Sequence, residues 1–392
     1  MSAPTGDSAP RETVLRHRPR SWAEIDLAAF RHNFAQARAL APNGQVLAVL
    51  KADAYGHGAL AIANAAQSAG AAMLGVGDST EALELRRAGV EADLLVLGGL
   101  VSSEIPSVID AGIIPVVHGY GRVEELEHEA AAQGRRVRVH LKVDTGMGRM
   151  GMNPARVKEV AKRILQSKHM VLDGLMSHLA GAWPQEAAAN RVQMQRFAVV
   201  LDDLRALGAQ PRHVHIRNSS GLMDREAQLP GESLVRAGAC LYGFAAAGAE
   251  PPAGFHPVLA LRTQIVFMKD VAQHAPVGYG GTFNPRRRTR LAIIPLGYYD
   301  GVKRGLANRG HALVRGRRAP LVGAVSMDYS TLDVTDVASA TVGDMVTLIG
   351  ADGRESQTVE QLAAAAGTIP YDILCGLGRR VVRIPVTAVS QG

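Results

Sequence analysis

The chain has 392 residues, which is long for a single small core and leaves room for two domains. Hydrophobic residues make up 47% of it and charged residues 20%, a balance typical of folded globular proteins, so extensive disorder is excluded. The formal net charge is +7, but only 4% of the residues are aromatic, which leaves few stacking surfaces for nucleic acid and indicates a solvated basic surface instead.

The N-terminal segment, residues 1–18, is polar and rich in proline, and it lacks the apolar stretch of a signal peptide. We expect this segment to be a flexible tail. No apolar run elsewhere reaches the roughly 20 residues that a membrane span needs. Two cysteines do not make a disulfide framework. These features predict a cytoplasmic protein that binds neither membrane nor nucleic acid.

The next region, residues 19–257, alternates β-prone runs with helical patterns. Helices are expected over residues 27–40, with Asp26 as N-cap, and over residues 184–207, ending at Gly208. Eight β-prone runs lie at residues 45–50, 73–76, 94–97, 113–117, 137–143, 172–177, 213–216 and 233–242. Eight strand–helix units predict an α/β fold of the (β/α)8 TIM-like barrel type. A doubly wound dinucleotide fold is disfavoured, because no Gly-x-Gly-x-x-Gly follows the first strand.

The last region, residues 258–392, changes to strands joined by turns. Its β-prone runs lie at residues 259–271, 290–296, 311–315, 321–325, 330–334, 344–349 and 381–389. One helix, expected over residues 358–366 and stopped by Gly367, interrupts them. We therefore predict that a mostly antiparallel β domain follows the barrel.

Polar residues stand at the predicted carboxyl ends of the barrel strands, where such barrels carry their chemistry. Lys51 ends the first strand, where an apolar core would have to bury its charge. It is either a nucleophilic, Schiff-base lysine or a snorkelling residue at the rim. Ser219 and Gly238, after strands seven and eight, suit a phosphate. The combination predicts pyridoxal 5′-phosphate (PLP), although position alone leaves open a Schiff-base aldolase with a phosphorylated substrate.

The segment AVLKADAYGHG (residues 48–58) resembles the PLP-lysine signature of the alanine racemase family. Further motifs resemble that family in the same order: WAEIDL (22–27), LKVDTGMGRMG (141–151), NS (218–219), VRAGACLYG (235–243), GYYDG (297–301), SMD (326–328) and PY (370–371). The resemblance implies a PLP-dependent isomerase that interconverts L-alanine and D-alanine, either supplying D-alanine for peptidoglycan or catabolising it.

The resemblance also implies two catalytic bases. Lys51 would carry the cofactor and serve the D-enantiomer, and Tyr298 would serve the L-enantiomer from the opposite face. A tyrosine packed in a turn is the alternative for Tyr298, and the adjacent Tyr299 leaves open which of the two points inward. Arg236 would donate to the pyridine nitrogen and leave it unprotonated, because an arginine keeps its own proton. A structural ion pair is the alternative for Arg236.

The family's phosphate site would correspond to Ser219, Tyr55, Tyr371 and the backbone of Gly238 and Ala239.

Four further residues have roles that the resemblance implies. His178 would pack near the cofactor ring, although Leu179 departs from the family's usual phenylalanine and a buried structural histidine is the alternative. Arg149 would reach the cofactor's phenolic oxygen and the substrate carboxylate, and Met327 would border that carboxylate. Lys142 would be carbamylated, which is consistent with the repulsion that an unmodified lysine beside Arg149 would create.

The resemblance implies a homodimer in which the β domain of one subunit covers the barrel mouth of the other, so that Lys51 and Tyr298 of different subunits share a site. We predict no metal site, because His213 and His215 share a strand face without a third ligand at suitable spacing.

Three other functions stay under consideration. A PLP-dependent decarboxylase is disfavoured, because the glycine-rich phosphate loop and cysteine motif of that class are not found in the sequence. A racemase for serine or a broader set of amino acids is the second, and serine stays open as a side substrate because a small pocket rejects one added hydroxyl poorly. A non-catalytic PLP carrier is the third, and the C-terminal domain argues against it.

Overall fold

A computed structural model of the chain describes residues 19–181, 184–224, 229–245 and 253–387. The predicted tail, residues 1–18, and the end of the last predicted strand, residues 388–389, lie outside these ranges. The architecture is an eight-stranded parallel barrel with surrounding helices, followed by a mostly antiparallel β domain, which confirms the predicted fold class. Within the described ranges, no helix combines the length and the apolar character needed to cross a bilayer.

The first strand, β1 (Ser21–Asp26), is not predicted by the sequence pattern and does not belong to the barrel. It pairs antiparallel with one strand of the C-terminal sheet and parallel with another. The chain then enters α1 (Leu27–Leu40), where Asp26 Oδ1 accepts backbone hydrogen bonds from Ala28 at 2.9 Å and Ala29 at 2.8 Å, as the predicted N-cap requires. Strand β1 therefore ties the start of the chain to the β domain.

The barrel consists of eight parallel strands. They are β2 (Val46–Val49), β3 (Met73–Val76), β4 (Leu94–Val96), β5 (Ile114–Val117), β6 (Val137–Lys142), β7 (Met170–Met176), β8 (His213–His215) and β9 (Val235–Ala237). Neighbours pair in the order β9-β2-β3-β4-β5-β6-β7-β8. Between the two ends of this order, the backbone N–H groups of Ser233 and Leu234 donate to Val214 O at 2.9 and 3.2 Å, which brings the sheet close to closure.

Helices connect these strands on the outside of the barrel. They are α3 (Ala59–Ser68), α4 (Ser79–Arg87), α5 (Ile105–Asp110), α6 (Tyr120–Ala132), α7 (Val157–Gln166), α8 (Ala187–Ala206) and α9 (Ser219–Met223), and a short left-handed turn, labelled α2 (Lys51–Gly56), follows β2. Helix α8 corresponds to the helix predicted over residues 184–207, and Gly208 follows it with φ +78°. A glycine tolerates this left-handed conformation, which is why it stops the helix.

The eighth predicted strand, residues 233–242, is shorter than the sequence suggests. Only β9 is extended, and Ala239–Tyr242 form a 3-10 turn in which Leu241 N donates to Gly238 O at 2.8 Å. All four turn residues are buried. Their apolar character reflects burial rather than sheet pairing, and a β-prone run does not separate these two causes.

Two sheets and two helices make up the β domain over its described residues, 258–387. Its elements are β10 (Leu259–Gln264), β11 (Phe267–Val271), β12 (Thr289–Ile294), β13 (His311–Val314), β14 (Arg317–Pro320), β15 (Ser330–Asp333), β16 (Met345–Asp352), β17 (Glu355–Gln357), α10 (Val359–Ala366), α11 (Pro370–Cys375) and β18 (Val382–Val386). The larger sheet has the order β14-β13-β16-β10-β1-β18, with β17 on β16, and the smaller sheet has the order β11-β12-β15. Only the β1–β18 pair is parallel among the described strands of these sheets.

Two predictions about this domain are wrong. The run 259–271 is two strands, β10 in the larger sheet and β11 in the smaller sheet. The backbone changes partner between two successive residues: Ile265 N donates to Asp344 O, next to β16, and Val266 N donates to Ile293 O of β12, both at 2.9 Å. The run 321–325 is not a strand, and Leu321 forms only an isolated bridge with Leu332. The strand in this part of the chain is instead β14, which pairs antiparallel with β13. A search for apolar runs misses β14 because two of its four residues are exposed arginines.

Candidate active site

A cavity of about 550 Å³ opens at the carboxyl ends of the barrel strands. It brings together ten of the predicted site residues: Lys51, Tyr55, Lys142, Arg149, His178, Ser219, Arg236, Gly238, Ala239 and Tyr371. Tyr371 comes from α11 of the β domain, and the other nine come from the barrel. The remaining two predicted residues, Tyr298 and Met327, do not line this cavity.

Lys51 and Tyr55 stand at the two ends of a left-handed backbone turn. Ala52, Asp53, Ala54 and Tyr55 all have φ between 53° and 56° and ψ between 39° and 55°. A left-handed conformation costs a non-glycine residue roughly 1–2 kcal/mol. Four such residues in succession therefore need stabilising contacts from outside the turn.

Two contacts from outside hold the turn. Glu81 Oε1 accepts hydrogen bonds from the backbone N–H groups of Ala52 at 2.6 Å and Asp53 at 3.3 Å. At the other end, Gly56 lies so close to Leu374 that an added Cβ would sit 2.1 Å from the Leu374 carbonyl oxygen. The turn thus packs between α4 of the barrel, to which it is hydrogen-bonded, and α11 of the β domain, which it contacts closely.

One end of the cavity is built for an anion. Ser219 Oγ lies 2.8 Å from Gly238 N and 3.4 Å from Cys240 N, both of which donate to it. Gly238 leaves room for the Tyr55 hydroxyl, because an added Cβ would lie 2.7 Å from that oxygen. The rings of Tyr55 and Tyr371 are 5.9 Å apart. Burial raises the pKa of Tyr55, so its hydroxyl is a hydrogen-bond donor at neutral pH.

Arg236 lies beneath the cavity and is almost fully buried. Its two terminal nitrogens donate to the carbonyl oxygens of Ser177, His215 and Ile216 and approach Nδ1 of His178 and His215, at distances of 2.7 to 3.1 Å. Within the described part of the chain, Nε is the donor of Arg236 that has no protein partner. Burial lowers the pKa of Arg236 to about 10, which leaves the guanidinium charged at neutral pH.

The histidines around Arg236 are neutral. Burial lowers the pKa of His178 to about 2 and that of His215 well below its usual value, and Arg236 adds to both effects. Because a guanidinium only donates, Nδ1 of each histidine accepts its hydrogen bond. His215 therefore carries its proton on Nε2, which lies 2.9 Å from His140 Nδ1. No group of three metal-ligating side chains is found among the described residues.

The cavity is strongly cationic. Lys51, Lys142, Arg149 and Arg236 line it, and no aspartate or glutamate is found among the described residues of its wall. Burial, then Arg236 and Arg149, lowers the pKa of Lys142 to about 8. Lys51 is partly exposed at the cavity mouth, yet burial of its amino end, followed by Arg149, lowers its pKa. Such a site favours a ligand with several negative charges.

Tyr298 and Met327 lie next to each other on the surface of the β domain. Tyr298 is 44% exposed and Met327 53% exposed. Tyr298 N donates to Ser326 O at 2.9 Å. Gly297 permits this close approach, because an added Cβ would lie 2.2 Å from Met327 O. The two residues are positioned firmly, although they face outward.

Tyr299 is as exposed as Tyr298, at 44%, but its ring makes a contact that is not found for Tyr298 among the described residues. The guanidinium of Arg380 lies over its ring, 4.5 Å from the centroid. Arg380 is itself held by Asp300, at 2.7 and 2.9 Å, and by Asp328, at 2.7 Å. Tyr299 is therefore engaged within its own chain.

Glu81 is a contributor that the sequence predictions miss. It lies outside the strand-end positions, but a local signal exists: Asp78 and Glu81 have the spacing of a helix N-cap and a capping glutamate directly after β3. That signal predicts a helix start. It does not predict that the carboxylate also reaches the turn after β2.

The fold and the site define an enzyme of the two-domain barrel class with a lysine beside an anion site. Two sequence families match the chain, alanine racemase N-terminal domain over residues 25–246 and alanine racemase C-terminal domain over residues 258–385. The chain belongs to the alanine racemase family, which is a family of isomerases.

Individual relatives agree with this assignment. The alanine racemase of Syntrophobacter fumaroxidans is 40% identical over 363 residues, which cover 92% of this chain and 96% of the relative. A crystal structure of alanine racemase from D-cycloserine-producing Streptomyces lavendulae has a TM-score of 0.88 and 34% identity, covering 95% of this chain and 98% of that one. An alanine racemase from Bartonella henselae with covalently bound pyridoxal phosphate has a TM-score of 0.83 and 29% identity, covering 94% of this chain and 100% of that one.

Proposed function

We propose that this chain is a PLP-dependent racemase that interconverts L-alanine and D-alanine, with Lys51 and Tyr298 as its two bases. The observation that carries the proposal is one cavity that joins Lys51, an anion site and Arg236, whose Nε has no partner among the described residues. The product would supply peptidoglycan synthesis with D-alanine, or the reverse reaction would catabolise it. The division into a barrel over residues 19–257 and a β domain over residues 258–392 belongs to the same proposal, with the exception of β1, which pairs with β10 and β18 of the β domain.

The residues present fit PLP. The cavity volume of about 550 Å³ lies in the usual range for small-ligand sites. Ser219, Tyr55, Tyr371 and the backbone of Gly238 and Ala239 would hold the phosphate, and a Cβ at position 238 would displace the Tyr55 hydroxyl from this end of the cavity. The free Nε of Arg236 supplies one donor for a ring nitrogen, and His178 would pack beside the ring. The two arginines of the cavity, Arg149 and Arg236, would offset part of the negative charge of phosphate, phenolate and substrate carboxylate.

When bound, PLP withdraws electrons from the amino-acid α-carbon and makes its proton acidic. Lys51 Nζ then removes or returns that proton on one face, and its lowered pKa favours the neutral amine that this task needs. Arg149 binds the substrate carboxylate, which Met327 borders. Arg236 would hold the ring nitrogen of PLP by donating to it, and because an arginine keeps its own proton it would leave that nitrogen unprotonated.

Lys142 is proposed to be carbamylated. Its pKa of about 8 leaves roughly a fifth of the amine neutral near pH 7.4, far more than for an ordinary lysine. A neutral amine adds CO2 with release of one proton. The resulting anion would replace a cation beside Arg149 and Arg236 by a partner of opposite charge, which would orient Arg149 toward the substrate.

The second base comes from a second subunit. Tyr298 and Met327 are exposed and lie outside the Lys51 cavity of their own chain. Tyr299 is engaged by Arg380, which favours Tyr298 as the residue that acts on a substrate. A two-fold dimer in which each β domain covers the other barrel's mouth would complete two equivalent sites.

Chiral analysis of the purified protein with PLP tests this function. L-alanine should yield D-alanine and D-alanine should yield L-alanine, approaching an equal mixture. Serine and other amino acids run in parallel would define the substrate range. Formation of CO2 and an amine would assign a decarboxylase, and bound PLP without turnover would assign a carrier.

Borohydride reduction followed by peptide mapping tests the attachment site. The pyridoxyl group should be found on Lys51, and Lys51→Ala should carry none. A pyridoxyl group on another lysine would overturn the site even if racemisation is observed.

A further inference from the structure

Glu81 lies in the first turn of helix α4, and capping of that helix accounts for only some of its hydrogen bonds. Asp78 caps the helix by accepting from Glu81 N at 3.0 Å, and Glu81 Oε2 reaches back to Gly77 N at 2.7 Å. A glutamate in the first turn that reaches back to a preceding N–H is an ordinary feature of a helix start. It occupies only one of the two carboxylate oxygens.

The other oxygen serves a different element. Glu81 Oε1 accepts from Ala52 N at 2.6 Å and Asp53 N at 3.3 Å, which are the first two left-handed residues after Lys51. Helix capping does not require these bonds. They join the carboxyl ends of β2 and β3 through one ionised group, and hydrogen bonds to an ionised acceptor are roughly twice as strong as neutral ones.

We infer that Glu81 is a positioning residue, which holds the left-handed turn so that Lys51 and Tyr55 face the same cavity. With right-handed dihedrals, the backbone after Lys51 would take a different course and carry the Tyr55 hydroxyl away from Gly238. Glu81 thereby sets the spacing between the lysine and the phosphate end of the site. The inference rests on the proposed function only for the identity of the cofactor.

Hydrogen exchange tests the contact directly. In Glu81→Gln the side chain keeps one acceptor, and its amide group faces an N–H donor at either Gly77 or the turn. In the full-length protein with PLP, exchange at Ala52 and Asp53 should become about tenfold faster, with other barrel segments unchanged. Glu84→Gln is the matched control, since Glu84 lies on the same helix and is exposed. Because a flipped Gln amide could face Gly77 and leave its oxygen on the turn, unchanged exchange at Ala52 and Asp53 in both Glu81→Gln and the shorter Glu81→Asp would overturn the inference.

Cofactor occupancy tests the consequence. The PLP concentration that half-saturates borohydride-trapped Lys51 should rise about tenfold in Glu81→Gln, and kcat per trapped site should fall while KM for alanine changes less than about twofold. A merely structural residue would lower the folded fraction and leave kcat per trapped site unchanged. That second pattern would refute the positioning role.

A backbone rescue separates the turn from the charge. Ala52 has φ +56°, which glycine adopts without the steric penalty of a Cβ. Ala52→Gly added to Glu81→Gln should therefore recover occupancy to within about threefold of wild type, because it removes strain that Glu81 otherwise offsets. If Glu81 acted only through its charge on Lys51, glycine would not restore occupancy, and the inference would fall.

Glu81→Asp keeps the test decisive if Glu81→Gln does not fold. Aspartate preserves the negative charge at the helix start but is one methylene shorter, so it should cap the helix and lose the turn. It should show the same occupancy defect with wild-type thermal stability, and wild-type occupancy would contradict the inference. Failure of the proposed function is a separate result, because exchange at Ala52 and Asp53 is measured without turnover.

Discussion

The two proposed bases lie in contrasting surroundings. Lys51 follows a buried strand, is held by a strained turn and faces three other cations in a cavity. Tyr298 lies on an exposed surface of the β domain, where 44% of it is open to solvent. The barrel therefore contributes all four cations of the cavity, whereas the β domain presents the proposed second base and the proposed substrate contact on an exposed surface.

The contrast indicates how the site would be completed. Cationic groups that bind a multiply charged ligand need a closed, preorganised cavity, because water weakens their effect. A tyrosine that must approach from the opposite face needs to arrive from outside that cavity. A site shared between subunits therefore requires Tyr298 to be exposed in the single chain.

Mixed dimers give the largest effect. Lys51→Ala and Tyr298→Phe should each lose activity by about 10³-fold or more, since each lacks one base. Refolded together in equal amounts, about half of the dimers should be hybrids, each with one site that has both bases. Activity should recover to roughly a quarter of wild type if the sites act independently.

Each variant refolded alone is the control, and native mass spectrometry should show that hybrids form. Hybrids without activity would mean that both bases come from the same chain. The contrast between a buried and an exposed base would then need a conformational change within one subunit instead of a partner.

Replacing Arg236 tests the barrel half of the contrast. In Arg236→Glu the ring nitrogen can share an acid proton, so racemisation should slow by about 100-fold and a new long-wavelength absorption band should develop during turnover. Arg236→Gln is the control, because it removes the same five hydrogen bonds without supplying an acid. Equal spectra and rates for wild type and Arg236→Glu would exclude the proposed role.

Barrel strands are the part of the fold that sequence predicts best. Strand β3 has the predicted bounds, because its four residues are all apolar and fully buried between helices and interior. Strand β1 escapes prediction, since its partners β10 and β18 lie more than 200 residues away and nothing local marks the pairing. The break between strands β10 and β11 at Ile265 and Val266 is not predicted for a similar reason. The acceptors of these two successive N–H groups belong to different sheets and lie far away in the sequence.

The site divides in the same way. Residues that follow a strand, such as Lys51 and Ser219, are predictable because barrel geometry gathers the strand ends. The left-handed turn is not, because Ala52 and Ala54 have no intrinsic preference for positive φ and adopt it only through tertiary contacts. The link from Arg236 to His215 also depends on packing inside the barrel, where sequence shows only a pair of histidines on one strand.

The smallest predicted effect concerns Lys142, a buried barrel cation that lies near three other cations of the cavity. Burial, then Arg236, Arg149 and Lys51, lowers its pKa from 10.5 to about 8, and Asp144 opposes the shift. Between pH 8 and pH 10.5 the folded chain has released this proton while the unfolded chain keeps it, so stability rises with pH across that window. Below it, both states are protonated and the folded state bears the full repulsion.

Lys142→Met removes this repulsion without leaving a void. In CO2-free buffer at about pH 7 it should unfold with a free energy about 1–2 kcal/mol higher than wild type, and the difference should shrink toward pH 10.5. Denaturant titrations at both pH values measure this. Bicarbonate at pH 8 should stabilise wild type but not the variant, because only a lysine can be converted to the anionic carbamate. A variant less stable than wild type at every pH, or bicarbonate acting equally on both, would show that Lys142 already has an adequate partner in its unmodified form.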